Sequence, residues 1–374
     1  MIGHHSYSLF LNPRHGTPGV VVLPDGGWRR AKAEITSWPG YAPTPLRELP
    51  PAPFAALHYK DEGGRFGLGS FKALGGAYAV MRLVVSELAK HGRHTTGAEL
   101  LAKKDAGDIT VTCATDGNHG RSVAWGAQNI GARCVIYVHD TVSQGRRDAI
   151  AAYGADVREV PGNYDDAVRE ASRAAAEHGW HVVSDTSWPG YTEVPRDVMQ
   201  GYRLMAEEAL AALPQPPTHV FVQGGVGGVA AAVSVQLRSM GLDAKLIVVE
   251  PDEAACLLKS AQAGALSVVE GDLPTLMAGL ACGEPSLLAW QELERAAFAF
   301  MAVPDKAAVE AMRALAGLGI TAGESAVAGL VGAWLAGRDG ALGLGPDSRV
   351  LVFGTEGATD PQLYAELVGA ASPS

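Results

Sequence analysis

The chain is 374 residues long, 47% hydrophobic and 19% charged, enough to bury roughly 75% of its unfolded surface, which excludes intrinsic disorder. Thirty Lys and Arg against forty Asp and Glu give a net charge of −10, and no basic run interleaved with aromatics offers a track for a phosphate backbone, so nucleic acid is not an expected partner. The most apolar stretches, Ala326 to Ala336 and Val229 to Val235, fall well short of the ~20 residues of a bilayer span, so no membrane partner is expected.

Met1-Ile2-Gly3-His4-His5-Ser6 lacks the basic and then apolar pattern of a signal peptide, and a cytoplasmic setting is expected. Cys113, Cys134, Cys256 and Cys282 lie far apart with no C-x-x-C, which argues against a zinc site or a disulfide framework, and no metal is expected. Local pairing of Cys256 with Cys282 stays open beside free thiols, the form a reducing compartment favours.

The first 75 residues, rich in Pro and Gly, carry no periodicity that assigns them. Lys72 follows, in Arg65-Phe66-Gly67-Leu68-Gly69-Ser70-Phe71-Lys72-Ala73-Leu74-Gly75-Gly76, at the start of an apolar helix. From about residue 108 onward, short β-branched runs alternate with amphipathic stretches, the pattern of βαβ units and a parallel sheet, hence an α/β fold. The strand Ile109 to Thr112 leads through Thr115-Asp116-Gly117-Asn118-His119-Gly120 into a helix near Arg121 to Asn129 and the strand Arg133 to Val138. A helix over Gln144 to Tyr153, the strand Val157 to Val160, a helix capped by Asn163 and the strand His181 to Val183 follow, and then the loop Asp185-Thr186-Ser187-Trp188-Pro189-Gly190-Tyr191.

Pro214-Gln215-Pro216-Pro217 ends a long helix, Pro195 to Leu213, and delivers the chain into the strand Thr218 to Gln223. Gly224-Gly225-Val226-Gly227-Gly228 comes next, before a helix from Val229. The later strands are Lys245 to Glu250 and Arg349 to Phe353, with helices over Asp305 to Leu318 and Ser325 to Ala336, and Thr355-Glu356-Gly357 follows the last strand. No repeat period stands out. Strand clusters before and after about residue 195 predict two α/β lobes with mostly parallel sheets and a ligand in the cleft between them. The expected division is 1–78 with 195–374 as the larger domain and 79–194 as the smaller.

Each candidate motif carries an ordinary reading beside a chemical one. Lys72 in apolar surroundings suits an amine nucleophile or Schiff-base former, or is a helix-start lysine with its head in water. The Thr115 to Gly120 turn, at the carboxyl end of a strand, is a ligand site or a helix cap. Gly224 to Gly228 offers converging N–H groups at a helix N-terminus for a phosphate, or glycines for tight packing. Gly225-x-Gly227-x-x-Ala230 with Glu250 also fits the loose dinucleotide fingerprint of a nicotinamide-dependent oxidoreductase. The Asp185 loop is a site or an Asx-turn. A lysine for an aldehyde, a glycine cradle for a phosphate and a hydroxyl for a ring nitrogen together suit pyridoxal 5′-phosphate.

In order and content the motifs resemble the fold-type II pyridoxal-phosphate enzymes, the family of tryptophan synthase β and threonine dehydratase, over most of the chain. Ser70-Phe71-Lys72 resembles the family's Schiff-base lysine motif, Gly117-Asn118-His119 its asparagine loop beside the cofactor's phenolic oxygen, and Gly224, Gly225, Val226, Gly227 and Gly228 its phosphate loop. Thr355 falls where the family places a Ser or Thr against the pyridine nitrogen. Within the family the chain is most similar to the diaminopropionate ammonia-lyases, through Lys60-Asp61-Glu62, Arg65-Phe66-Gly67-Leu68, Ala114 to Gly120, Met199-Gln200-Gly201-Tyr202 and Met277 to Pro285; threonine dehydratases have Ser where Asp116 stands. Gly63, Gly64 and Gly69 replace bulkier residues of that group.

The resemblance implies a cytoplasmic homodimer that eliminates ammonia from D- and L-2,3-diaminopropionate, with Lys72, Asp116 and Asp185 catalytic. Lys72 would act on the L isomer, Asp116 on the D isomer, and Asp185 would hold the β-ammonium or assist its departure. The alternatives are a serine- or threonine-type dehydratase or another β-eliminase, the oxidoreductase named above, and a non-catalytic cofactor sensor, which the combination of Lys72, Asn118, Asp116 and Asp185 argues against.

Overall fold

The computed structural model describes residues 2–115 and 117–369. In chain order the strands are β1 (Ser8–Leu11), β2 (Leu46–Leu49), β3 (Ala56–Asp61), β4 (Thr110–Ala114), β5 (Arg133–His139), β6 (Asp156–Val160), β7 (His181–Val182), β8 (His219–Gln223), β9 (Lys245–Pro251), β10 (Ala299–Val303) and β11 (Arg349–Gly354). The helices are α1 (Asp25–Thr36), α2 (Ala73–Lys90), α3 (Gly97–Lys103), α4 (Asn118–Ile130), α5 (Gln144–Ala151), α6 (Tyr164–His178), α7 (Glu193–Ala212), α8 (Gly228–Ser239), α9 (Cys256–Ala263), α10 (Leu287–Ala296), α11 (Asp305–Ala316), α12 (Ala328–Arg338) and α13 (Pro361–Val368).

The chain divides into two compact units, one of residues 1–23, 43–71 and 205–374, the other of 24–42 and 72–204. The first holds a seven-stranded sheet in the order β1-β10-β9-β8-β11-β3-β2. Its interior pairs are parallel, with Phe221 beside both Ile247 and Val352, while β1 and β2 close the two edges antiparallel. All residues of β8 and β10 are buried, as expected of parallel strands covered on both faces, and Phe221, Ile247, Val249, Met301 and Val352 form the core with Leu330, Val331 and Leu335 of α12. The second unit holds a parallel four-stranded sheet, β6-β5-β4-β7.

The expected βαβ elements are present with ends displaced by a residue or a few. Asn163 caps α6 as predicted, and its reciprocal partner in the capping box is Asp166. The helix expected over Ser325 to Ala336 opens with a 3₁₀ turn, Glu324–Val327, before α12.

The unpatterned N-terminal segment supplies β1, β2 and β3 of the larger sheet and α1 of the smaller unit. Segment 24–42, expected with the larger domain, belongs to the smaller unit. There Gln200 Nε2 donates to the Pro24 carbonyl at 2.9 Å, Arg203 pairs with Asp25 at 3.1 Å and the Trp38 ring meets Trp125 edge-on at 6.0 Å. The chain crosses between the units after Phe71 and within α7 after Leu204, rather than near residues 78 and 194. All four cysteines are free thiols. Among the described residues, no helix is long and apolar enough to cross a membrane.

Candidate active site

Lys72 stands at the N-cap of α2, where its side chain makes no capping hydrogen bond. Small residues fix that helix start. A Cβ on Gly75 would lie 2.4 Å from Tyr202 of α7, and one on Gly76 only 1.9 Å from Ser122 Oγ of α4, so α2 approaches both helices closely only because these positions are glycine. The Lys72 side chain is 20% exposed; its Nζ donates to Asp185 Oδ2 at 2.7 Å and lies 5.8 Å from the centre of the Tyr202 ring. Lys72 is thus neither a bare surface lysine nor a cap; it is the partner of a carboxylate 113 residues away.

Asp185 is free for that partnership because others hold its loop. Ser184 Oγ accepts from Thr186 N at 3.1 Å, and the Tyr191 hydroxyl donates to Val182 O at 2.8 Å and accepts from Ser184 N at 3.1 Å. The side-chain turn expected of Asp185 is therefore made by Ser184. Burial alone would raise the Asp185 pKa, but the Lys72 charge foremost, then His119, hold it below the usual carboxylate range. Asp185 is consequently an anion at any pH near neutral.

The turn after β4 is capped by Thr115, whose Oγ1 accepts from Gly117 N at 3.0 Å and Gly120 N at 3.1 Å. Asn118 is not the cap; it opens α4, and its Oδ1 accepts from Arg121 Nη2 at 2.6 Å. Asp116 lies outside the described residues. His119, on the same turn, donates from Nε2 to Val183 O at 2.8 Å and turns Nδ1 toward Asp185 at 3.8 Å.

In the larger unit, Phe71 N donates to Thr355 O at 3.0 Å, Gly357 N donates to Gly69 O at 2.8 Å, and Ser70 and Glu356 form an isolated antiparallel bridge. The segment that ends one residue before Lys72 is thereby stitched to the loop that carries Thr355, a link no local pattern reveals. Gln223 Nε2 lies 3.1 Å from Thr355 Oγ1. An amide nitrogen accepts nothing, so the Thr355 hydroxyl proton remains available to donate elsewhere.

The glycines of the Gly224 to Gly228 loop have packing and backbone reasons of their own. Gly224 is needed for packing, since a Cβ there would meet Val248 at 2.7 Å and Glu250 at 2.8 Å. Gly227, the N-cap of α8, has φ +95°, which a residue with a side chain rarely adopts, and α8 presents the first-turn N–H groups that lack intrahelical acceptors. Glu250 is not a ribose ligand. It is fully buried, and its two oxygens accept from Leu257 N at 2.8 Å and Leu258 N at 2.7 Å at the start of α9. The nicotinamide reading loses its acid by this geometry.

A cluster missed in the residue patterns alone holds the segment before Lys72. Lys60, Glu62, Arg65 and Glu208, with side chains at most 5% exposed, form a quartet of two cations and two anions. Arg65 grips Glu62 through Nε at 2.8 Å and Nη2 at 2.7 Å and reaches Glu208 at 2.7 Å, while Lys60 Nζ reaches Glu208 at 2.7 Å and Thr44 O at 2.8 Å. Losing one member would strand a buried charge. A sequence signal existed in Lys60-x-Glu62-x-x-Arg65, but Glu208 is too distant for it to be read.

In the smaller unit an amine paired with a carboxylate suits an aldehyde, and in the larger unit a hydroxyl with an uncommitted proton and a glycine-bounded helix start suit a ring nitrogen and a phosphate. The chain belongs to the pyridoxal-phosphate dependent enzymes, whose family model matches residues 37–356. Its curated relatives are more specific. The diaminopropionate ammonia-lyase of Escherichia coli K12 is 41% identical over 351 residues, 88% of each chain, and that of Salmonella typhimurium LT2 is 36% identical over 393 residues, 95% of each. In structure the chain is similar to holo diaminopropionate ammonia-lyase from Escherichia coli, with TM-score 0.88 at 36% identity over 98% of this chain and 99% of that one. The fold is accordingly fold type II.

Proposed function

We propose that the chain is a pyridoxal-phosphate-dependent lyase that removes ammonia from D- and L-2,3-diaminopropionate, yielding pyruvate and a second ammonia. The observation that carries this reading is the Lys72–Asp185 pair at 2.7 Å, an amine and a committed anion in one place, on a chain similar to diaminopropionate ammonia-lyases over most of its length. Lys72 would hold the cofactor aldehyde, Phe71 and Asn118 would contact the cofactor, Gly224, Gly225, Val226, Gly227 and Gly228 would take its phosphate, and Thr355 would serve its ring nitrogen. When bound, the cofactor supplies an electron sink that acidifies the substrate Cα–H and eases departure of the β-substituent.

The rest belongs to the protein. Asp185 offers the β-ammonium of the substrate a charge-assisted partner, which serine and threonine, lacking that ammonium, cannot use. Lys72 takes the Cα proton of the L isomer and Asp116 that of the D isomer, from opposite faces. A neutral Thr355 hydroxyl, unlike a carboxylate, would not hold the ring nitrogen protonated, which would favour loss of the β-group over transamination. The enamine set free tautomerises and hydrolyses in water to pyruvate. We further propose that the enzyme works as a cytoplasmic homodimer, a reading supported by the free thiols and by the family resemblance.

The test is competition: keto-acid release from both isomers of diaminopropionate, serine and threonine, by wild type and Asp116→Asn. Diaminopropionate is expected to win in both configurations, and Asp116→Asn to lose activity on the D isomer far more than on the L isomer. Preference for serine or threonine would move the chain to the dehydratases; equal losses on both isomers would remove Asp116 from its role.

A further inference from the structure

His119, in the first turn of α4, is 7% exposed, and the proposed chemistry leaves it without a role. Its Nε2 lies 2.8 Å from the Val183 carbonyl oxygen. A carbonyl only accepts, so Nε2 carries the ring proton, and in the neutral ring Nδ1 is a bare lone pair. That atom is buried, has no hydrogen-bond partner among the described residues, and faces Asp185 Oδ2 at 3.8 Å. The same oxygen takes Lys72 Nζ at 2.7 Å. Asp185 therefore has a cation on one side and, on the other, a base that becomes a cation on taking up one proton.

Lys72 reacts only as the free amine. Its ammonium must give up a proton, and Asp185, buried, then stands without its cation, an expensive state. We propose that His119 is the positioning residue that prevents this: it accepts the proton Lys72 releases and takes over the Asp185 carboxylate as an imidazolium. One N–H bond breaks at Lys72 and one forms at His119 Nδ1, and the net charge of the trio is unchanged. Closing the gap from 3.8 Å to a hydrogen bond requires a movement of about 1 Å. The other titratable side chains facing Asp185 in the described structure are Cys113, Tyr191 and Tyr202. Burial pushes the thiol and both phenols up, so they remain neutral at pH 7 and neither give nor take this proton.

The proposal rests on Lys72 being the reactive amine of the proposed function and not on which amino acid is the substrate. Its test is the titration of His119 followed by NMR in full-length protein carrying isotope-labelled histidine, stripped of cofactor, with the signal assigned by its loss in His119→Gln. In Lys72→Met, which removes the competing cation, the His119 midpoint is expected to rise by about one pH unit or more. In Lys72→Met/Asp185→Asn that rise is expected to vanish. Equal midpoints in wild type and Lys72→Met overturn the proposal, as does a rise that survives Asp185→Asn. If Lys72→Met does not fold, wild type loaded with cofactor provides the same comparison against stripped protein, with Asp185→Asn as the control: a midpoint that rises on loading only when Asp185 is present supports the proposal, and any other pattern overturns it. Absence of pyruvate from diaminopropionate would overturn the substrate assignment and leave these titrations standing.

Discussion

Glu250 has no cationic partner among the described residues, and burial, opposed only in part by the Leu257 and Leu258 N–H groups, pushes its pKa from 4.5 up to about 8. The folded protein therefore keeps a proton that the unfolded chain has already released. The stability tied to that proton is fully present below about pH 4.5 and declines as pH rises toward the folded value of about 8, by at most about 1.4 kcal/mol per pH unit. Glu250→Gln, which cannot ionise, should accordingly gain on wild type between pH 5 and pH 8. Urea midpoints at the two pH values check this, and a gap between the two proteins that does not change with pH would show that Glu250 is ionised throughout. In sequence the residue is visible as an acid at a strand end, with a ribose ligand as one alternative reading. Only the backbone donors of α9 show that it serves a helix. Lys72 and Asp185 were legible one by one, from an apolar setting and a strand-end loop; their pairing was not, because a separation of 113 residues is closed by the fold alone.

At the level of elements, the position of Lys72 is set by how closely α7 passes beneath the start of α2. A Cβ on Gly201 would fall 1.8 Å from the Leu74 carbonyl oxygen, a backbone atom that no rotamer change can move. Gly201→Ala is expected to destabilise the protein by about 1–3 kcal/mol, the usual range for overpacking, and to shift the helix start that carries Lys72. Thermal unfolding measures the first effect and the cofactor's absorbance the second. Unchanged unfolding would mean that α2 and α7 separate at little cost. The helices and strands from residue 108 onward were legible because two-sided burial writes β-branched runs and helix faces write a 3.6-residue period. β10 and the N-terminal strands were not. β10 has a single β-branched residue, Val303, and the edge strands β1 and β2 are four residues each and partly exposed, too short to set a period.

For the molecule as a whole, the α/β class was legible from the alternation of strands and helices, and the cofactor and the family from the resemblance of five motifs in fixed order. The division into units could be read only roughly, because segment 24–42 joins the smaller unit through contacts such as Arg203 with Asp25 that have no local signature. Lys72 is the amine proposed to carry the cofactor. Borohydride reduction of the purified, cofactor-loaded protein, followed by mass mapping of the modified peptide, tests it most directly. A single pyridoxyl-phosphate adduct on Lys72 and loss of the cofactor's visible absorbance on reduction are expected. An adduct on another lysine, or none after incubation with the cofactor, would contradict that role for Lys72.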